Sequence, residues 1–468
     1  MSKKYFFLSA VILAIFLAGA FCLAGFGCKG LSTAEQQATK PVVLEYWVVH
    51  DDVDAMRALI DKYRAERPYL TVNLRQLRAD ELYSRLIEAL AEDKGPDIIS
   101  VHARDLGNFR SKLAPMPKTV ADATVQVVKK VTGNETVITP QTITLPTVNQ
   151  IDREFVQTVK KDAVFDDQIY GLPLSLDLLA VYFNKDLLDR SDVAEPPATW
   201  TDFQAAAKKI SRLDKETGKV IQSGAAIGTG ANVEGFEDII YSLFKQSGID
   251  FVTRDGRATF NLRAEGASGE PASAGALDFY TDFANPTRDT FGWNAEMGDS
   301  LDNFVAGKTA FFFGYSFQND TLKSRAPQLN YGILPMFQLN PEKPANAANY
   351  WLQTVVGKSK NQNEAWGLIN YLTSAKISGE YLAATKRPTA RRALIAQQKE
   401  DPELNPFVSQ ALIADNWYRG NNYTAAVKAM NDMVGEWLNT PIGLDESRLR
   451  NTRQDILNRA ASKINQTL

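Results

Sequence analysis

From residue 41 onward the apolar positions switch repeatedly between the period of a strand and the period of a helix. Val42 to Val49 is rich in β-branched and aromatic residues and predicts a strand. Met56, Leu59, Ile60 and Tyr63 recur at helical spacing, and Pro68 ends that helix. Leu70, Val72 and Leu74 alternate with polar residues as a second strand. Leu82, Leu86 and Leu90 mark a second helix, closed by Gly95-Pro96, and Asp97 to Val101 reads as a short buried strand. The order βαβαβ predicts a parallel sheet with helices on its faces. Residues 115–150 break the pattern: four prolines punctuate a Thr/Val-rich stretch without helical period, which reads as a surface insertion carrying a hairpin. Further strands are expected at Leu178–Phe183, Val220–Ile227, Thr309–Phe313 and Tyr331–Leu334. Further helices carry the stripes Trp200/Phe203/Ala207/Ile210, Phe236/Ile239/Ile240/Leu243, Leu277/Tyr280/Phe283 and Ile456/Leu457/Ala460/Ile464. Asn363 is expected to cap a helix bearing Trp366, Ile369 and Leu372.

The first residues follow another logic. Lys3 and Lys4 precede an apolar run from Tyr5 to Leu23, the form of an export signal over residues 1–27. Gly27-Cys28 at its end resembles a bacterial lipobox, which implies lipidation at Cys28; an uncleaved membrane anchor is the alternative. Residues 28–40 are polar and read as a flexible tether. Either reading puts the bulk of the chain outside the cytoplasm, held at the cell membrane. Composition narrows the chemistry. Lys+Arg 52 against Asp+Glu 55 leaves no basic excess for a nucleic-acid binder. The chain has only His50, His102, Cys22 and Cys28, and both cysteines lie in the N-terminal segment. That leaves little from which to build a His-centred triad, a zinc cage or a structural disulfide.

No Walker loop, HExxH, paired CxxC or GxSxG is present. Gly228-Thr229-Gly230 opens like a dinucleotide fingerprint but continues with Val233 in place of the third glycine, and reads as a tight strand-to-helix turn. The adjacent carboxylates Asp51-Asp52 and Asp166-Asp167 point apart, unlike a glycosidase pair, and an N-cap role suits Asp51 or Asp52. His50 and His102 fall at the carboxyl ends of expected parallel strands, the edge where α/β proteins bind ligands. Trp47, Trp293, Tyr315, Trp351, Trp417 and Tyr423 stand at strand ends, loops or helix starts, outside the apolar stripes. A flat ring with a polar edge suits stacking on a sugar.

Several stretches, in order along the chain, resemble the extracellular solute-binding proteins of ABC importers of the maltose- and oligosaccharide-binding type. They are Val43–Trp47, Gly95–Ile99, YGLPLSLDLLAVYFNKDLL from Tyr170, PPATWTDFQAAAKKI from Pro196, FVAGKTAFFFGYS from Phe304, YGILPMF from Tyr331, KSKNQNEAWGLINYLTS from Lys358, and Lys386-Arg387-Pro388-Thr389. The resemblance implies a type II periplasmic-binding-protein-like α/β fold of two lobes, each a mostly parallel sheet flanked by helices, with the ligand cleft between. Residues 41–174 with 355–402 would form one lobe and 176–350 with 405–468 the other. The chain would cross near Pro173–Leu176, Tyr350–Gln353 and Asp401–Pro406. The implied activity is capture of a solute, above all a sugar or oligosaccharide, by hinge closure and delivery to an ABC permease. The protein would be a monomer, without catalysis, cofactor or metal. Expected cleft residues are Trp47, His50, Asp51, His102 and Arg104 from the first lobe. Ser175, Asp177, Asn232, Trp293, Tyr315, Trp351 and Tyr423 are expected from the crossings and second lobe. A secreted carbohydrate-active enzyme and a receptor or sensor for a non-sugar solute are the alternatives.

Overall fold

The computed structural model describes residues 32–131, 133–253, 256–263, 266 and 269–468. The expected signal segment and Cys28 lie outside them. Among the described residues no helix is long and apolar enough to cross a membrane, and no group of His, Cys, Asp and Glu could hold a metal ion.

The first sheet runs in the order Leu70–Gln76, Val42–Val48, Ile98–His102, Trp351–Val356, Leu113–Ala114, with Leu172–Pro173 also paired to Trp351–Val356. Its first three strands are parallel, joined by the helices Val53–Ala65 and Ala79–Ala91. Trp351–Val356 runs against them. The second sheet runs Arg212–Leu213, Val220–Ala225, Thr309–Gly314, Ala180–Asn184, Tyr331–Pro335, and only Val220–Ala225 with Thr309–Gly314 is parallel. Both sheets are therefore mixed, not mostly parallel. The reason is connectivity: Trp351–Val356 enters its sheet straight from a crossing segment, without the helical crossover that a parallel neighbour needs.

Between the two lies a three-stranded sheet of Asp177–Leu178, Asn346–Asn349 and Ala414–Asp415. The chain steps from Leu172–Pro173 in the first sheet to Asp177–Leu178 in this one, and returns from Asn346–Asn349 to Trp351–Val356 through Tyr350 alone. Such short passages tie the cleft floor to both sheets. Helices Gln362–Leu372 and Ala375–Thr385 pack on Val53–Ala65 beside the first sheet.

Strand alternation divides the interior. Val181, Phe311 and Phe313 fill one face of the second sheet with Phe203 and Phe283. Tyr182, Phe312 and Phe304 on the other face belong to a core continuous with that of the first sheet. At Gly228 the backbone has φ +113°, and a Cβ there would lie 2.8 Å from Ala284 N, so the turn demands glycine.

Two elements depart from the sequence reading, the tether and the cap of helix 362–372, while the hairpin expected in the insertion is present. Residues 33–38 of the supposed tether form a helix, Thr33–Ala38, because Ser32 and Glu35 make a reciprocal capping box. The insertion is one long hairpin, Thr119–Lys130 paired with Gly133–Thr144 along its whole length. Arg67 grips its Asp122 through two bonds of 2.8 and 2.6 Å, and Tyr69 OH donates to Ala123 O at 2.9 Å. Asn361, not Asn363, holds the cap position of the helix 362–372. Asn363 instead bonds both backbone groups of Ala121 on the hairpin.

Candidate ligand cleft

The carboxyl ends of Val42–Val48 and Ile98–His102 and the start of the antiparallel Trp351–Val356 share one edge, with Trp351 registered opposite His102. The carboxyl end of Thr309–Gly314 leads to Phe317 from the other sheet. Between these edges and the crossing strands lies a cavity of about 630 Å³, large enough for a small saccharide.

A continuous row of rings lines it. Phe317 lies 5.9 Å from His50, His50 5.3 Å from Trp351, Trp351 5.3 Å from His102, and His102 5.8 Å from Tyr423, centroid to centroid. The row spans the two sides of the cleft: its ends, Phe317 and Tyr423, come from the part containing the second sheet, and its middle, the two histidines and Trp351, from the first. Both histidines serve as neutral rings. Burial, aided by Arg104, lowers the His102 pKa to about 3, and its Nε2–H donates to Asn349 Oδ1 at 2.9 Å. His50 faces the open cleft yet has protein on most sides; burial lowers its pKa too, against the opposing pull of Asp51.

Polar groups surround the rings. Asp51 does not cap the helix; Asp52 does, accepting from Ala55 N at 2.8 Å. Asp51 is turned inward, accepting from Ser100 Oγ at 2.6 Å and Gln353 Nε2 at 3.1 Å, and burial raises its pKa. Asp177 accepts from Ser316 N and Oγ at 2.7 and 2.8 Å, with Arg387 3.8 Å away. Asp105 and Glu234 also face the cavity, and their carboxylates make no hydrogen bond or ion pair among the described residues; Glu234 is tied by its backbone N–H, which donates to Ser300 Oγ at 2.9 Å. Burial pushes the Asp105 pKa up from 3.8 to about 6 and raises that of Glu234.

Asp105 has a measurable consequence. Its folded-state pKa lies above the unfolded value, so its contribution favours folding at low pH and is lost as pH rises from 3.8 through about 6. Asp105→Asn is expected to flatten the stability profile in that window and to be more stable than the parent at neutral pH. Denaturant unfolding across the window checks this; an unchanged slope would contradict it.

Of the residues expected in the cleft, His50, Asp51, His102, Arg104, Ser175, Asp177, Trp351 and Tyr423 line the cavity. Arg104 does so from a buried position, with each of its three guanidinium nitrogens hydrogen-bonded. Four stand away from the wall. Trp47 is buried beneath Arg75, whose guanidinium lies 5.7 Å from the ring. Asn232 ties its own loop, donating to Asn294 O and Gly298 O at 3.0 Å. Trp293 is fully buried, its Nε1 donating to Thr229 Oγ1 at 3.0 Å. Tyr315 is buried with its hydroxyl donating to Asp238. Its ring stacks on Phe317 at 5.8 Å, so the aromatic on the wall is two residues further on. Trp417 is likewise core, its Nε1 bonded to Asp238 at 2.9 Å. Asp166-Asp167 form a hairpin turn with φ of 51° and 58°. The sequence reading missed Phe317, Asn349, Tyr381 and Arg387 on the wall, besides Asp105 and Glu234. Phe317 and Arg387 adjoin or lie in stretches quoted for the family resemblance; the others carry no signal of their own.

A profile described as bacterial extracellular solute-binding protein matches residues 48–378, more than half of the chain. The chain belongs to that family. Among curated relatives of this solute-binding protein is a putative binding protein of Brucella abortus (strain 2308), 24% identical over 267 residues, 56% of this chain and 58% of that one. The match thus spans less than two thirds of the relative's length. Solved structures share the fold. The cyclic alpha-maltosyl-1,6-maltose binding protein of Arthrobacter globiformis superposes with a TM-score of 0.68 at 18% identity, over 91% of this chain and 98% of that one. The sugar-binding protein MalE of Xanthomonas citri gives 0.66 at 17%, over 91% and 98%. An ABC transporter solute-binding protein of Thermotoga lettingae bound with alpha-D-tagatose gives 0.64 at 18%, over 91% and 99%.

Proposed function

We propose that this extracellular solute-binding protein captures a sugar or oligosaccharide in the cleft and hands it to an ABC permease, without altering it chemically. The observation that carries the reading is the ring row Phe317–His50–Trp351–His102–Tyr423. Flat apolar faces cover the C–H faces of a pyranose, while flanking carboxylates and amides take up its hydroxyls. The sugar-binding proteins with the same fold support the same class of ligand. Residues 41–174 with 355–402 act as one lobe and 176–350 with 405–468 as the other. Because the row draws rings from both, a sugar lying along it binds the closed form better than the open one, and that difference drives closure. The protein works as a monomer.

The cleft charge narrows the ligand. Among the described residues the Asp105 and Glu234 carboxylates have no partner, whereas each nitrogen of the Arg104 guanidinium is bonded and Arg387 lies beside Asp177. This favours neutral or amino-bearing solutes, a polyamine among them, over sugar acids and phosphates. A thermal-shift screen of the full chain with neutral oligosaccharides, amino sugars, polyamines and sugar acids tests this. At about a hundredfold its Kd a ligand adds about 2.7 kcal/mol. Stabilisation by sugar acids alone, or release of hydrolysed glycan, would sink the reading.

Anchoring is proposed at Cys28, on the pattern of an apolar run ending in Gly27-Cys28. Cys28→Ser is expected to abolish labelling by a radioactive fatty acid and to leave the signal uncleaved or release the protein from membranes. Unchanged labelling would assign the lipid elsewhere.

A further inference from the structure

The long hairpin exposes apolar side chains that no element among the described residues covers. Val127 is 65% exposed, Val128 41%, Val131 107% and Val137 38%, all on its outer half. Among the described residues its outermost backbone bond to the body is Val125 N–H donating to Glu66 O at 2.8 Å. From there to Lys130 the strand projects about 17 Å at ~3.3 Å per residue. The turn is flanked by Lys129 and by Lys130, the latter paired with Glu135. Lysines at the end of an open strand oppose edge pairing with a second copy. Valines beside lysines instead suit the boundary between acyl chains and anionic headgroups.

The position of the hairpin adds to this. Its contacts with Arg67 and Tyr69 lie just before Leu70–Gln76, at the amino edge of the first sheet, opposite the cleft. The helix Thr33–Ala38 packs on both hairpin strands at the same edge. Only residues 29–31 separate Cys28 from Ser32, so a lipid on Cys28 would lie within about 14 Å of Ser32.

We propose that the outer half of the hairpin, centred on Val127, Val128 and Val131, rests in the headgroup layer of the membrane and holds the receptor with its cleft turned away from the lipid. This rests on the anchoring reading above. In this pose the cleft samples the medium, and the body must swing on its short N-terminal segment to meet a permease.

The test uses the full-length chain, mature form checked by mass spectrometry, in vesicles of equal parts phosphatidylcholine and phosphatidylglycerol containing nitroxide lipid. An environment-sensitive fluorophore is placed on Val131→Cys, or on Ile442→Cys in the loop before the last helix as a reference. Emission from position 131 is expected to fall at least about twofold below that from position 442. Val127→Ser with Val128→Ser in the Val131→Cys chain should abolish the difference, and pure phosphatidylcholine should reduce it. Equal emission at both positions overturns the proposal. So does a change at position 131 that follows protein concentration instead of nitroxide content, which would mark contact between copies. If mass spectrometry shows Cys28 unmodified while position 131 is still quenched, the anchoring reading fails and the hairpin contact stands.

Discussion

Arg104→Ala is expected to destabilise the protein by about 3–5 kcal/mol, the cost of stranding a buried partner charge. Arg104 follows the strand Ile98–His102 and is only 1% exposed. Its Nη2 donates to Asp238 at 2.8 Å and to Ala348 O at 2.6 Å, its Nε to Asn416 Oδ1 at 2.8 Å, and its Nη1 to Tyr423 OH at 2.8 Å. Asp238 is fully buried on the helix Phe236–Gln246 and is further bonded by Trp417 and Tyr315. Removing the guanidinium leaves that carboxylate with two neutral donors and no counter-charge. The planar fork also reaches partners on several elements at once, so Arg104→Lys should recover only part of the loss. Denaturant unfolding of Arg104→Ala, Asp238→Ala and the double variant measures the coupling. The double variant should be less destabilised than the sum of the singles. A loss under about 1 kcal/mol for Arg104→Ala would contradict the account.

Arg104 also marks the limit of what the sequence shows. Its place just beyond a strand end was legible, and it does line the cleft. That its bonds reach Asp238 and Tyr423 on the far side of the cleft, and Ala348 and Asn416 at the middle sheet, was not, because all four lie far away in sequence. The same division holds for the rings. Strand-end position picked out His50, His102 and Trp351, since the end of a strand fixes which edge a residue occupies. It misassigned Trp47 and Tyr315, because position along a strand does not say which way a side chain turns. Tyr315 turns into the core to reach Asp238, and the cleft receives Phe317 instead. Trp293 and Trp417 stand in loops by their neighbours in sequence, yet both are buried, each with its indole N–H bonded to a partner distant in the chain. The alternating elements themselves were readable because their periods are local. The direction of Trp351–Val356 was not, since it depends on how the chain returns from the other sheet.

Trp351→Ala is expected to weaken sugar binding about tenfold to a hundredfold, a loss of about 1.4–2.8 kcal/mol. Trp351 is the middle of the row, 5.3 Å from each histidine, and it begins the strand opposite His102. Its ring is only half-buried, so it has apolar surface left for a ligand to cover, and truncation costs the fold less than it costs the complex. Loss of the indole also removes the lateral support of His50 and His102, which share no ring contact with each other. Trp351→Phe should therefore restore more affinity than Trp351→Ala by keeping the row continuous. Tyr315→Ala provides the contrast: it withdraws a bond from buried Asp238 and the stacking surface beneath Phe317, so its main effect should be on unfolding. Calorimetric titration of each variant with the sugar that the thermal screen identifies, alongside its denaturation curve, separates the two kinds of loss. If Trp351→Ala binds that sugar as tightly as the parent while remaining folded, the ring row is not the surface on which the ligand lies.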